Sequence, residues 1–161
     1  MSHITASEEI AAPVESVFAF VDDHRNTTKY MKDLTKWAPV GSKSHGKGAQ
    51  FQVAMKAGPL TLSSVVDITT WTENRTIGWR SIEGFKQTGK WSFKAIAGGG
   101  TEATFDMEYQ LPGGIAGRMA SRLADPVVRS NIEQSVRSLR SQVERAAKPK
   151  KAVKPAPARK R

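Results

Sequence analysis

Apolar and polar residues alternate through the middle of the chain with the two-residue period of β-strands. Phe51, Val53 and Met55, for example, alternate with polar or small neighbours, and the pattern returns in four further segments up to Tyr109. Turn-forming sequences separate these segments at 56–59, at 73–76, near Gly84 and at the Gly98-Gly99-Gly100 run. The pattern predicts a five-stranded antiparallel meander with a single apolar face.

The hairpin loops also predict which residues lie opposite each other, because cross-strand partners must share a face. We assume a four-residue loop at 56–59, a two-residue turn at Asn74-Arg75 and a last hairpin centred on Gly99. The predicted pairs are Met55 with Leu60, Val53 with Leu62, Ile68 with Ser81, Thr70 with Trp79, Phe93 with Phe105, Trp91 with Met107, and Lys90 with Glu108.

Shorter elements precede the meander. We predict a strand at 4–10 and an amphipathic helix at 13–21, where proline occupies a position that a first helical turn tolerates. A short helix at 26–32 and a strand at 35–40 follow, and Pro39 places that strand at a sheet edge.

Apolar residues after 114 recur at spacings near 3.6 and predict a long amphipathic helix, kinked or broken at Asp125-Pro126. The apolar stripe consists of Ile115, Met119, Leu123, Val127, Val128, Ile132, Val136, Leu139 and Val143. Because one long helix can cover the apolar face of the sheet, the predicted fold class is α+β, with a curved antiparallel sheet wrapped around the C-terminal helix.

Composition adds little to this fold except at the C-terminus. The chain has 161 residues, no cysteine and a net charge of +10. Seven of the 25 basic residues and no acidic residue lie in 148–161, so 1–147 holds 18 basic against 15 acidic residues, a net charge of +3. We predict one domain at 1–147 and a disordered Lys/Ala/Pro tail at 148–161.

The basic tail has three alternative interpretations. It is a solubilising appendage, a nonspecific contact for nucleic acid, or a contact for an anionic membrane. No aromatic residue interleaves its charges, which argues against base stacking. The residues predicted to contact a polyanion are Lys148, Lys150, Lys151, Lys154, Arg159, Lys160 and Arg161.

The order of elements and several local motifs resemble the START-like helix-grip superfamily, also called SRPBCC, in its polyketide cyclase/dehydratase or coenzyme-Q-binding branch. The motifs are the start at 12–21, Trp37, the Arg-x-Ile-x-Trp strand at 75–79, and Tyr-x-x-Pro-Gly-Gly at 109–114. The resemblance covers nearly all of 1–147. It implies a cavity between sheet and helix that holds an apolar ligand such as a lipid, a quinone or an aromatic polyketide-like molecule.

The inward face of the predicted sheet and the facing side of the helix supply the candidate lining of this cavity. Tyr30 and Trp37 are placed at its entrance. The predicted ligand-binding residues are Tyr30, Trp37, Phe51, Val53, Met55, Val66, Ile68, Trp79, Trp91, Phe93, Phe105, Met107, Tyr109, Met119 and Leu123. Polar groups predicted on the same face are Tyr109, the Trp79 and Trp91 indoles, Ser64 and Thr70. A core of packed aromatic residues is the simpler alternative for any one of them.

Catalytic residues are not assigned by the sequence. A cyclase needs a proton acceptor and an oxyanion donor, yet His3, His24 and His45 fall at the N-terminus, a helix end and a loop, off the predicted pocket face. Strand parity places Asp67, Asp106, Glu108 and Arg80 outward and leaves the face of Glu8 open. No pattern for a metal or a cofactor is present, and none is expected.

Three functional hypotheses follow. The first is a binding or carrier protein for a hydrophobic small molecule, which requires a cavity that can admit one. The second is a polyketide cyclase/dehydratase, which requires an ionisable group in the pocket. The third is a packed scaffold whose tail contacts nucleic acid or an anionic membrane. Neither a signal peptide nor an 18-residue apolar run is present, so we expect a cytoplasmic protein. The oligomeric state stays open.

Overall fold

The computed structural model describes residues 2–111 and 114–147. Seven antiparallel strands form one sheet in the order β1-β7-β6-β5-β4-β3-β2. The strands are β1 (Ser2–Ile10), β2 (Leu34–Pro39), β3 (Gln50–Ala57), β4 (Leu60–Thr72), β5 (Thr76–Gly84), β6 (Lys86–Ala95) and β7 (Thr101–Gln110). The α-helices are α1 (Val14–Asp22), α2 (Thr27–Tyr30) and α3 (Gly114–Ala147), and a 3₁₀ helix, His24–Asn26, precedes α2.

The predicted α+β helix-grip fold is confirmed. β3 to β7 form the meander, while β1 joins its far edge beside β7 and β2 joins β3. α3 packs mainly against β1, with smaller contacts to β7 and α2. The sheet curls around it and buries a core of residues such as Phe105, Val128 and Leu139. Within the described ranges no helix has the length and apolarity needed to span a membrane.

Two of the predicted registers are wrong by two residues. The first hairpin pairs Met55 with Leu62, because its turn contains only Gly58 and Pro59. Gly58 has φ +62°, a left-handed conformation that glycine adopts without a steric penalty. The last hairpin pairs Trp91 with Phe105. A slip of two residues leaves every side chain on its predicted face, so the apolar face survives the error.

The third predicted register, between β4 and β5, is wrong for a different reason. Ile68 pairs with Trp79 and Thr70 with Gly78, so one extra residue on β4 forms a bulge between the two pairs. The bulge reverses the alternation beyond it. Thr70 is therefore exposed, contrary to the prediction that it faces inward, and Trp71 packs against the core.

α3 runs unbroken through Pro126, so the predicted break is not observed. The buried row consists of Ala124, Val128, Ile132, Val136, Leu139 and Val143. Met119 and Leu123 are 63% and 82% exposed, so the prediction that they face the sheet is wrong. The apolar stripe moves by one residue, about 100° around the helix, between Val127 and Val128. Two rows about 100° apart cannot both face the sheet, and the longer row, which includes Val128, is the buried one.

Hydrogen bonds to Asp125 and from Arg140 fasten α3 to β1 and β7. The Tyr109 hydroxyl and the Ser2 hydroxyl both donate to the Asp125 carboxylate, Ser2 at 2.8 Å to Oδ2. Burial raises the pKa of the Tyr109 phenol, and the neighbouring Asp125 carboxylate raises it further. Further along α3, Arg140 donates to Glu8 at 3.2 Å. Glu8 therefore lies on the helix side of β1, in an ion pair at the edge of the core.

Replacing Pro126 with alanine is expected to stabilise the protein by about 2 kcal/mol. Proline in a helix interior costs ~3 kcal/mol relative to alanine because its ring removes one hydrogen bond and crowds the preceding turn. Part of this gain, about 0.4–1 kcal/mol, is lost because alanine gives the unfolded chain more freedom. Urea unfolding measures the difference.

Ser141→Ala, at an exposed site of the same helix, is the control and should change the unfolding free energy by less than about 0.5 kcal/mol. A Pro126→Ala protein no more stable than wild type would contradict the expectation.

Candidate functional site: an aromatic cavity with a polar mouth

A cavity lies between the concave face of the sheet, the α1–α2 segment and Ile132 of α3. Strands β2 to β7 form its wall, and the 44–46 loop segment lies at its mouth with the end of α1. Ten of the fifteen predicted ligand-binding residues line it: Tyr30, Trp37, Phe51, Val53, Met55, Ile68, Trp79, Trp91, Phe105 and Met107.

The other five predicted residues lie elsewhere. Val66 is buried in the core, and Phe93 packs between Phe18 and Trp91, with ring centroids 5.7 and 5.9 Å away. Tyr109 is buried against Asp125. Met119 and Leu123 are exposed on α3 and do not line the cavity. The seven predicted polyanion contacts in 148–161 lie outside the described residues.

Aromatic rings fill most of this concavity. Trp37 stacks on Phe51 at 5.1 Å and meets Trp79 edge-on at 5.8 Å, while Trp91 meets Phe105 edge-on at 4.9 Å. The free space amounts to about 70 Å³, whereas pockets that hold drug-sized ligands have roughly 300–1,000 Å³. A ligand of that size therefore has to displace side chains.

A buried hydrogen-bond network runs from two residues of the cavity lining, Trp79 and Gln87, to Ser64 in the core. The Trp79 indole Nε1–H donates to Gln87 Oε1 at 3.2 Å, and Gln87 Nε2 donates to Ser64 Oγ at 3.1 Å. All three residues are less than 9% exposed. Trp79 and Ser64 lie on the inward face, as predicted, but their polar groups are already bound to a protein partner. The Gln87 amide fixes the orientation of the Trp79 ring.

Tyr30 is the second polar group within the wall. Burial raises the pKa of its phenol, and hydrogen bonds with Thr27 and Trp91 oppose the shift only in part. Tyr30 is 3% exposed, so its hydroxyl is neutral at ordinary pH and serves as a hydrogen-bonding group.

The mouth of the cavity carries ionisable side chains, among them two histidines that the sequence prediction placed off the pocket. Asp22, His24 and His45 all line it. His45 Nε2 lies 2.7 Å from Asp22 Oδ2, and the Trp71 indole donates to Asp22 Oδ1 at 2.8 Å. His24 lies against Phe51, with ring centroids 5.9 Å apart. The prediction that the three histidines lie off the pocket face is therefore wrong for His24 and His45.

The segment that carries His24 is fixed by a local ion pair. Asp23 caps the 3₁₀ helix by accepting from the Arg25 backbone N–H, and the Arg25 guanidinium donates to the same carboxylate at 2.8 and 2.9 Å. The guanidinium lowers the pKa of the Asp23 carboxyl to about 2. Asp23 is thus ionised over the usual pH range and holds the turn between α1 and α2.

The remaining ionisable candidates lie outside the cavity. Arg80 is exposed, and Asp106 faces outward, where it binds the side chains of His3 and Thr5. These two hydrogen bonds, together with the charges of His3 and Lys90, outweigh desolvation and lower the pKa of Asp106. Among residues 2–111 and 114–147, no three histidine or acidic side chains come together as a metal site.

Sequence reasoning missed three kinds of cavity residue. Gln87 could have been found, because it shares the parity of Trp91 on β6. Trp71 could not, since the bulge reverses its face. Asp22 and His45 come from a helix end and a loop, and only the folding of one onto the other brings them together.

Comparison with known proteins agrees with this geometry. Residues 1–144 match the sequence profile of the family described as polyketide cyclase / dehydrase and lipid transport. No curated protein matches the chain.

Solved structures show the same fold. TTHA0849 from Thermus thermophilus is 22% identical, with a TM-score of 0.78 over 91% of this chain and 100% of its own. A START superfamily protein from Mycobacterium smegmatis is 17% identical, with a TM-score of 0.71 over 90% of this chain and 99% of its own. The Zhui aromatase/cyclase from Streptomyces sp. R1128 is 16% identical, with a TM-score of 0.70 over 91% of this chain and 96% of its own. The profile match extends over most of the chain, so this protein belongs to the polyketide cyclase / dehydrase and lipid transport family.

Proposed function

We propose that this protein binds a hydrophobic small molecule, such as a lipid, a quinone or an aromatic polyketide-like compound, in the cavity between its sheet and α3. The observation that carries the proposal is the lining: a wall of aromatic and aliphatic side chains around a few fixed polar groups. That combination is typical of small-molecule sites. Membership of a family that includes cyclases and lipid-transport proteins supports the same ligand class.

The small free volume determines how binding takes place. Met31 lines the cavity and is only partly buried, so it can turn outward more readily than the fully buried residues of the wall. Methionine is flexible and adapts its shape to a partner at little cost. We therefore expect ligand binding to displace side chains at the mouth, while the deep wall around Trp79 and Gln87 stays in place.

Fluorescence of N-phenyl-1-naphthylamine, which increases in an apolar environment, tests the proposal. The wild-type protein is expected to bind this probe saturably. Met31→Trp fills the mouth and should weaken binding at least tenfold, because the larger ring occupies the space that the probe must enter. Met119→Trp adds the same side chain at an exposed site of α3 and is expected to leave the affinity unchanged.

Two outcomes would overturn the proposal. One is the absence of saturable binding by the wild-type protein. The other is an equal effect of Met31→Trp and Met119→Trp, which would place the probe on the surface. The cyclase/dehydratase alternative stays a prediction, and Asp22 and His45 provide the ionisable groups that it requires.

A further inference from the structure

Three side chains from distant parts of the chain meet at the mouth of the cavity. Asp22 is the last residue of α1, His45 belongs to the loop between β2 and β3, and Trp71 lies in β4 beyond the bulge. Both carboxylate oxygens of Asp22 are engaged, Oδ1 by the Trp71 indole at 2.8 Å and Oδ2 by His45 Nε2 at 2.7 Å. The Asp22 side chain is 17% exposed and that of His45 is 60% exposed. In this group of three side chains, Asp22 is therefore held in place by two partners, and His45 is open to solvent.

This arrangement sets the chemistry of the imidazole. A carboxylate beside Nε2 favours the tautomer that carries its proton there, so Nδ1 remains a hydrogen-bond acceptor. The Trp71 ring meets the His45 ring edge-on at 5.0 Å and limits its rotation. The mouth therefore offers a histidine with a defined acceptor nitrogen beside an apolar wall.

We propose that His45, held by Asp22 and Trp71, is the polar anchor of the cavity and accepts a hydrogen bond from a hydroxyl group of the ligand. The ligand class is then an apolar molecule of aromatic dimensions with a phenolic, enolic or alcoholic hydroxyl at one end. The apolar body lies among Phe51, Trp79 and Phe105, and the hydroxyl lies at the mouth. This inference rests on the proposed function and specifies its ligand.

Two probes of similar size distinguish a hydrogen bond to His45 from apolar binding alone. 2-Naphthol carries a hydroxyl donor, and 2-methoxynaphthalene has the same rings without one. Isothermal titration calorimetry is expected to show that wild-type protein binds 2-naphthol at least fivefold more tightly, about the effect of one net hydrogen bond. His45→Phe keeps a ring at the mouth and should reduce the ratio of the two dissociation constants to about one.

Asp22→Asn separates anchoring from a purely structural contact. The asparagine carbonyl still accepts from the Trp71 indole, so its NH₂ group faces His45 and donates to Nε2. Nε2 is then an acceptor, and the imidazole proton lies on Nδ1. The preference for 2-naphthol should then disappear, and ¹⁵N NMR of the imidazole should show the change of tautomer. His24→Phe tests the other histidine that lines the cavity. His3→Phe, on β1 and outside the cavity, is the control and should retain the preference.

The outcomes distinguish this inference from the proposed function. If wild-type protein binds both probes with equal affinity, the anchor is wrong and the hydrophobic cavity stands. If it binds neither probe, the proposed function fails as well. Loss of the preference in His24→Phe, with retention in His45→Phe, would place the anchor at the other histidine. If the Asp22–His45 contact only holds the loop to α1, Asp22→Asn should lower the affinity for both probes by the same factor.

Discussion

Replacing Gly89 with valine is expected to destabilise the protein by about 2–3 kcal/mol and to move the Trp79 indole out of its place in the cavity wall. Gly89 lies opposite Trp79 in the β5–β6 pair, and the indole lies directly over its Cα. A Cβ atom built at this glycine would come within 2.2 Å of the Trp79 ring. Forced shifts of this kind in a packed core cost about 1–3 kcal/mol.

Competing effects do not reverse the sign. Glycine weakens a strand by roughly 0.5–1 kcal/mol relative to alanine. If the Trp79 ring could move freely, a side chain at position 89 would therefore stabilise β6 by a similar amount. The ring cannot, because Trp37 and Phe105 pack against it and Gln87 holds its Nε1–H. The steric cost is therefore the larger of the two effects.

Gly78→Ala is the matched control for this substitution. Gly78 lies on the neighbouring strand and is also buried, but a Cβ there would meet its closest neighbour, Thr70, at an ordinary 3.4 Å. Its unfolding free energy should change by less than about 1 kcal/mol. Thermal unfolding is the measurement, since 1 kcal/mol shifts the Tm of a domain of this size by roughly 2–4 °C. Equal melting temperatures for Gly89→Val and wild type would show that the indole is not fixed over Gly89.

Replacing Gln87 with leucine is expected to cost about 2 kcal/mol and to release the Trp79 ring. The substitution leaves the Trp79 Nε1–H and the Ser64 hydroxyl without their observed partner, in an environment less than 9% exposed. Each orphaned buried group costs about 1–3 kcal/mol. Burial of the apolar leucine returns about 1.5–3 kcal/mol at most, which leaves a net loss.

A double-mutant cycle provides the sharper readout for Gln87. Ser64→Ala should be more costly in wild-type protein than in the Gln87→Leu background, because the hydroxyl has already lost its partner there. Gln52→Leu, at an exposed position of β3, is the control and should leave stability nearly unchanged. Additive effects of Ser64→Ala and Gln87→Leu in urea unfolding would contradict the network.

Most of the fold could be predicted from the sequence, because side-chain parity survives errors in pairing. Two hairpins were displaced by two residues, yet Met55, Leu62, Trp91 and Phe105 all face inward as predicted. The exact loop length decides the register, and the glycine-rich turns permit more than one length. The fold class was insensitive to that choice.

Two errors came from features that local patterns do not contain. The β4 bulge turns Trp71 inward and Thr70 outward, although the alternation before it predicts the opposite. On α3, the row with Met119 and Leu123 is as apolar as the row with Val128 and Ile132. The sheet reaches only the second row, so the first remains exposed.

The α+β fold class, the apolar face of the meander and ten of the residues that line its cavity can be predicted from the order of the amino acids. These follow from periodicity, which is a property of neighbouring residues. The free volume of the cavity and the polar groups that meet around it depend on how the folded chain packs. Trp79, Gln87 and Ser64, like Asp22, His45 and Trp71, come from separate elements. Their chemistry depends on distances that only the packed chain sets, because a hydrogen bond requires two groups within about 3 Å.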